Sequence, residues 1–552
     1  MLTYPVGIYI NWSAYDELSD RVELTEEIAM TQLEHMIRLR KLGARLDYYM
    51  MDAFWYARDG GYRTFRKPHW PDGPDRWLSR CAEEGIKPGL WLATNSTWCN
   101  IDVLPEWQSS LDPTSGRLTF AEGGYREHLF ATLDMWYRRG VRMYKWDFAA
   151  LDAATPAMRR SLLPEEIRAA NISAFRTAML EFRRSHPDCL HIGYNGYEQC
   201  DIQSGTGVPL CKAISTEWLD IFDSLYCGDP RPADVPAMNF WRSKDIYTDH
   251  MVRVYEFNGY PLARIDNAGF MIGTTLTCYC RGKEAWKAML LLSLARGGNC
   301  NTYYGNLDLL TDEEGRWAAK AQSFFWPAIQ RQSIRLLGGM PGDFVPYGYE
   351  AWDERGTLLT WVNPTQEFVE IAVPAGARIL FADERLPELR GGKVKLGPEQ
   401  MVLLGVGGFA DAACDLGLEP DVRIVKAIAP VAATFKQTDL ATSTTLTPSF
   451  TGTLRIVMRQ THWSRNVFVP KRINGGKGPT GTSLGKVLTL AVRNASTGAE
   501  IPVRINYDKV IWSALSWAVG ECEVKAGEPL EIRAGTTEKG VRMDVSLHSV
   551  SY

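Results

Sequence analysis

What the 552-residue chain lacks narrows its function before any motif is read. It has no surplus of positive charge: 61 lysines and arginines face 65 aspartates and glutamates, a formal charge of −4. Nothing electrostatic therefore points to nucleic acid or an anionic membrane as partner. No apolar run approaches the ~18 residues needed to cross a bilayer. The opening "MLTYPVGIYI" has no basic n-region or cleavage pattern, so a cytoplasmic location is favoured, with a mature secreted or periplasmic form left open. The 11 cysteines form no CxxC pair and no Cys/His cluster at metal-ligand spacing, which argues against structural zinc and for reduced core thiols. No glycine-rich phosphate turn follows the first strand, which weakens a doubly wound nucleotide-binding sheet as the alternative fold.

What is present is an ordinary globular composition, 45% hydrophobic and 23% charged, on a chain too long for one core. The 19 tryptophans and 23 tyrosines offer flat amphipathic rings of the kind that hold sugars, although their default task is packing.

The first part of the chain alternates short apolar strands with amphipathic helices. Strands are expected at Val6–Trp12, Ala44–Asp52, Lys87–Asn95, Gly140–Phe148, Cys189–Asn195 and Pro261–Asp266, with a last one at "NCNTYYG". Helices are expected over 25–42, 75–85, 125–140, 164–185 and 311–331. Pro164 sits in a first turn, and Thr311 and Glu314 stand at capping-box spacing. Repeated strand–helix units of this length predict an α/β fold, a (β/α)₈ barrel over residues 1–332. Past it the texture changes to alternating strands with turn residues. An antiparallel β-sandwich is expected over 333–409 and a second β-rich accessory domain over 410–552, where Trp463, Trp512 or Trp517 could meet carbohydrate.

"GVRMYKWDF" (Gly140–Phe148) carries the chemistry. Residues i and i+2 of a strand share a face, so Lys145 and Asp147 point one way and Trp146 the other. In a barrel that shared face looks into the mouth, where the chemistry of such folds sits. A carboxylate beside an ammonium is expected to stay ionised with a depressed pKa, as suits a nucleophile. On the strand alone, an exposed ion pair explains the same residues.

Six short segments, in order along residues 5–330, resemble the retaining α-galactosidases of glycoside hydrolase families 27 and 36 (clan D). They are "YINWSAY", "YYMMDAFW", "EEGIKPGLWLA", "YKWDF", "WRSKDI" and "RIDNAGFMIG". The resemblance implies a double displacement in which Asp147 is the nucleophile and Asp245 the acid/base. The two carboxyls of such a pair stand about 5–5.5 Å apart. It also implies sugar contacts from Trp12, Asp52, Trp91, Lys145, Asn195, Arg242 and Asp266. No metal or cofactor is implied, since two carboxylates and water suffice. The partner is an oligosaccharide or glycoconjugate, and a homo-oligomer stays open.

Two departures bear on this expectation. The family's paired aspartates at the second strand are here Asp52 and Ala53, so an acceptor for sugar hydroxyls is missing. A related glycoside such as an α-N-acetylgalactosaminide, a β-L-arabinopyranoside or an α-glucoside becomes credible. The acid Asp245 also lies 98 residues after Asp147, farther than the family's spacing, and Asp229 in "FDSLYCGDPRP" is a rival. A transglycosylase of the same clan and a non-catalytic sugar-binding barrel are the competing functions.

Overall fold

The computed structural model describes residues 2–12, 14, 24–97, 101–199, 213–214, 216–227, 246–273, 283, 285–341, 345–383, 385–419, 425–438, 440–462, 488–507, 517–536 and 542–552. Eight parallel strands form one sheet: β1 (Val6–Ile10), β2 (Tyr48–Met51), β3 (Lys87–Ala93), β4 (Met143–Asp147), β5 (Leu190–Gly193), β6 (Ser224–Leu225), β7 (Asp266–Ile272) and β8 (Cys300–Gly305). Each pairs with its neighbours in sequence, β8 returns to β1, and a parallel bridge from Leu225 to Ile265 joins β6 to β7. The ring is closed. Following paired residues round it, from Asp266 through Cys300 and Val6 to Leu225 and back, climbs the strands by eight residues. That stagger is the shear of a (β/α)₈ barrel.

Helices α1 (Glu26–Lys41), α2 (Asp75–Glu83), α3 (Tyr125–Arg138), α4 (Pro164–Ser185), α5 (Ile246–Phe257), α6 (Trp286–Arg296) and α7 (Asp312–Arg331) cover the ring. The expected start signals are in place. Thr25 Oγ1 accepts the Ile28 amide 3.2 Å away at the head of α1. Thr311 and Glu314 close a reciprocal capping box on α7, with bonds of 3.3 and 2.7 Å. With helices outside and packed side chains inside, the strands are buried on both faces, as VGIYI, YYMM and MYKWD all are.

Trp146 turns outward from β4, as the alternation requires. It meets Phe175 of α4 at 5.3 Å between rings, and its indole N–H donates to His191 Nδ1 over 3.1 Å. Burial drives the His191 pKa down to about 3, so the ring is neutral and free to accept there.

One strand differs from expectation. Pro261–Asp266 is no strand; Leu262–Arg264 forms a 3₁₀ turn, and Asp266 is the first residue of β7 rather than the last of an earlier segment. The apolar run after Asp266, buried throughout, makes the better barrel strand.

Beyond α7 the described residues form mainly β-structure. A six-stranded sheet is built on Ile334–Gly338, Tyr347–Asp353, Gly356–Val362, Met401–Gly407 and Arg378–Asp383. Gly417–Glu419, past the expected boundary at 409, joins it as a parallel edge strand. Two five-stranded antiparallel sheets follow, packed on Leu454, Ile456, Met458, Ile532 and Leu547.

A buried cluster pins the barrel to the first of these sheets. Asp249 of α5 receives Arg296 Nε at 2.8 Å, the Tyr347 hydroxyl at 2.7 Å and the Tyr349 hydroxyl at 2.6 Å. Both members of the Asp249–Arg296 pair are sealed from water. Asp249→Ala would take the counter-charge facing Arg296 Nε and the acceptor of two phenols, and is expected to cost about 3–5 kcal/mol of stability. Urea unfolding of the variant and of Asp249→Asn checks this, with Asn expected to lose less because it still accepts hydrogen bonds.

Candidate active site

The ends of β1 to β5 bring the expected residues to one mouth of the barrel. Trp12 follows β1 and is half-buried against the core. Asp52 stands one residue beyond β2. Trp91 lies on β3 in register with Lys145 of β4, and Ala93 is in register with Asp147. Alternation puts Trp91, Lys145 and Asp147 on the same, inward face. Asn195 follows β5. Asp147 and Lys145 are each only 5% exposed, so the charges are buried at the strand ends, not on an outer wall.

Two buried charges need partners, and they have them. Lys145 Nζ donates to Asp52 Oδ2 over 2.8 Å and lies 4.1 Å above the Tyr194 ring. The other Asp52 oxygen accepts the Ala53 amide at 2.8 Å, and the Asp52 amide donates to Asn11 Oδ1 at 2.8 Å. Asp147 Oδ1 accepts from the Phe148 amide at 2.9 Å, the Asn195 amide at 3.1 Å and Asn195 Nδ2 at 2.8 Å. Asp147 Oδ2 accepts from Trp91 Nε1 at 3.1 Å. Trp91 itself is 1% exposed and stacked on Tyr56, so it joins the site through its N–H rather than an open ring face.

The depressed Asp147 pKa expected from "KWD" is corrected by this geometry. Burial pushes the carboxyl above its ordinary value, and it outweighs the lowering by Lys145 and by the Asn195 and Trp91 hydrogen bonds. The physical reason is the loss of water around a carboxyl sealed at the strand end; the Asp52 carboxylate, held by the Lys145 ammonium, adds a smaller push in the same direction.

Tyr194, not picked out from the sequence, sits at the centre of the arrangement. Its hydroxyl donates to Asp266 Oδ2 and meets the Tyr304 hydroxyl at 2.8 Å, while its ring carries Lys145 on one side and stacks on Tyr226, 4.6 Å between centroids. Burial, then Asp266, holds the phenol well above its usual range, so it stays a donor. The signal was there: Tyr194 follows inward-facing Ile192 by two residues at the end of β5. Asp266 is thus brought to this cluster although it begins its strand, and Cys227 Sγ donates to its carbonyl at 3.1 Å. Asn95, by contrast, is a structural tie, with its amide spanning Leu118 and Ala150.

Asp229, Arg242 and Asp245 lie outside the described residues. Trp463 and Trp512 do as well. Among the described residues no group of three His, Cys, Asp or Glu side chains could hold a metal ion, and no helix is long and apolar enough to cross a membrane.

No family model matches the sequence, and no curated protein sequence does. The fold, however, recurs among solved structures. The family 36 α-galactosidase AgaA of Geobacillus stearothermophilus matches at 14% identity and a TM-score of 0.50, over 73% of this chain and 55% of its own. A variant of that enzyme in complex with 1-deoxygalactonojirimycin matches at 15% and 0.50, over 73% and 55%. The α-galactosidase of Lactobacillus brevis matches at 13% and 0.50, with the same coverage. The chain spans about half the length of these structures, and at such identities the likeness is one of fold alone.

Proposed function

We propose that the protein is a retaining exo-acting α-glycoside hydrolase, α-galactosidase-like, working by double displacement through an aspartyl glycosyl-enzyme. The observation that carries this is the Asp147 carboxylate at the mouth of a closed barrel, held by four N–H donors beside the Lys145–Asp52 pair. A lectin needs no nucleophile, whereas a nucleophile must be held within about 0.5 Å of its productive position.

In the first step Asp147 attacks the anomeric carbon. The bond to the aglycone oxygen breaks, and that oxygen takes the proton of the acid/base. In the second step water gives a proton to that same carboxylate and adds to the anomeric carbon as the ester to Asp147 breaks. Two inversions leave the α configuration. Asp245 is assigned as the acid/base, with Asp229 as the rival. Lys145 and Asp52 would take sugar hydroxyls, Trp12 the ring face, and Asp266 would act through Tyr194. Arg242 is assigned to the 2-hydroxyl side.

The sugar is galactose or a close relative. Ala53 offers no carboxylate where a second acceptor would read the sugar, which opens the site to an α-N-acetylgalactosaminide, a β-L-arabinopyranoside or an α-glucoside. The 1-deoxygalactonojirimycin named for the Geobacillus variant supports galactose. A panel of p-nitrophenyl glycosides, with the anomeric form of the first product read by NMR, tests the proposal. Turnover of an α-glycoside (or of the β-L-arabinopyranoside) with retention is expected. No turnover on any sugar, or an inverted first product, overturns it. Added acceptor sugars in the same assay separate hydrolysis from transfer.

A further inference from the structure

Asp147 is not held symmetrically. Three N–H groups converge on Oδ1, from Phe148 at 2.9 Å, from the Asn195 amide at 3.1 Å and from Asn195 Nδ2 at 2.8 Å. Oδ2 accepts one among the described residues, the Trp91 indole at 3.1 Å. A carboxylate oxygen has about two lone-pair sites, so three donors saturate Oδ1 while Oδ2 keeps a site open.

The cradle is built into the backbone. Phe148 has φ 51, a left-handed conformation uncommon for a non-glycine residue, so the chain bends sharply directly after Asp147. The Tyr194 amide donates to Trp146 O at 2.7 Å and the Ala149 amide to Asn195 O at 3.0 Å, so the ends of β4 and β5 are tied on both sides of the contact. Gly196 follows at φ +100, where a Cβ would stand 2.1 Å from Ala149 O. Only glycine lets the chain after Asn195 pass that close.

Deepening the nucleophile assignment on which it rests, we propose that Asn195 is a positioning residue: with two backbone N–H groups it fixes Oδ1 as the spectator oxygen and leaves Oδ2 to attack the anomeric carbon. The sequence resemblance assigns Asn195 to the sugar; its side-chain amide is instead given to Asp147. In the glycosyl-enzyme, Oδ2 carries the ester bond and Oδ1 is the ester carbonyl. When water displaces the sugar, the electron pair of the breaking C–Oδ2 bond returns to the carboxylate, and the charge spreads to Oδ1, where three donors already stand. Asn195 therefore aids the departure of Asp147 more than its attack.

The test uses the full chain with ¹³C-labelled aspartate carboxyls, the Asp147 signal being the one lost in Asp147→Asn. Titration of wild type and Asn195→Ala is expected to show Asp147 ionising about one pH unit higher in the variant. The nearly isosteric Asn195→Asp, which sets a second carboxylate beside it, is expected to move it further. Among the described residues the other charged groups facing Asp147 are Lys145 and Asp52, with Tyr194 and Asp266 beyond them, and none is altered. An unmoved Asp147 in both variants overturns the assignment. The kinetic arm uses p-nitrophenyl α-galactoside. A kcat about 10-fold lower, a KM that falls with it and a larger burst of nitrophenol are expected, because breakdown of the intermediate is slowed. A raised KM with kcat kept, and no added burst, would instead mark Asn195 as a sugar ligand and overturn the proposal. The titration needs no turnover, so a wild type that hydrolyses nothing sinks the hydrolase assignment while the ionisation of Asp147 still decides the role of Asn195.

Discussion

Asp147→Asn is expected to lose on the order of 10⁴-fold or more in kcat/KM on every accepted glycoside, while folding normally. The amide is nearly the same shape as the carboxylate and its oxygen can still accept the Phe148 and Asn195 N–H groups, so three of the four donors keep their acceptor and only the Trp91 N–H loses its own. What disappears is the lone pair that forms the ester. The variant should also be at least as stable as wild type at neutral pH. Burial holds the folded-state pKa of Asp147 above its unfolded value, so ionising it works against folding. That cost is absent below the unfolded pKa of about 3.9 and fully present above the folded one. A neutral amide escapes it, which is the usual relation between a site's strain and its activity. Thermal unfolding at pH 7 should give the variant an equal or higher midpoint. The same raised pKa sets the acid limb of wild-type kcat/KM above the ordinary aspartate range, with activity lost as pH falls through it. Activity within a factor of a few of wild type would remove Asp147 from the mechanism.

How far the site was legible in the sequence follows from which facts are local. The alternation in "MYKWD" was enough to send Lys145 and Asp147 inward and Trp146 outward, because a strand's period of two leaves no choice. The Thr311–Glu314 capping box is legible for the same reason: its two residues lie within a few residues of one another. The Asp147 pKa is not legible there because burial outweighs the neighbouring ammonium, and burial is set by strands distant in sequence. Nothing in "KWD" says that the ammonium two residues away will be given to Asp52, 93 residues earlier. Tyr194 escaped notice because a tyrosine at a strand end is ordinary until Asp266 and Tyr304 are seen to converge on its hydroxyl. The seventh strand was placed too early because "PLARID" alternates better than "DNAGFMI", and a strand buried on both faces does not alternate.

The acid/base is where two carboxylates compete, and their variants should separate them. The sixth strand ends at Leu225 and α5 opens at Ile246. Asp229 follows the strand closely and Asp245 directly precedes the helix. Barrels keep their chemistry just past the strand ends, which favours Asp229; the Trp241–Arg242 context favours Asp245. Asp245→Ala is expected to lose about 10³-fold on natural α-glycosides, whose aglycone cannot leave without a proton. On a glycosyl fluoride or dinitrophenyl glycoside, which needs none, the first step should be nearly untouched and the covalent intermediate should accumulate. Azide, small enough to enter the space left by the carboxylate and needing no base, should then rescue turnover and give a glycosyl azide of α configuration. Asp229→Ala, treated alike, should show neither the leaving-group dependence nor the rescue. If it shows both and Asp245→Ala shows neither, the roles are exchanged and Arg242 loses its place beside the sugar. If neither variant yields an azide product, no second carboxylate serves Asp147, and double displacement by this pair is abandoned.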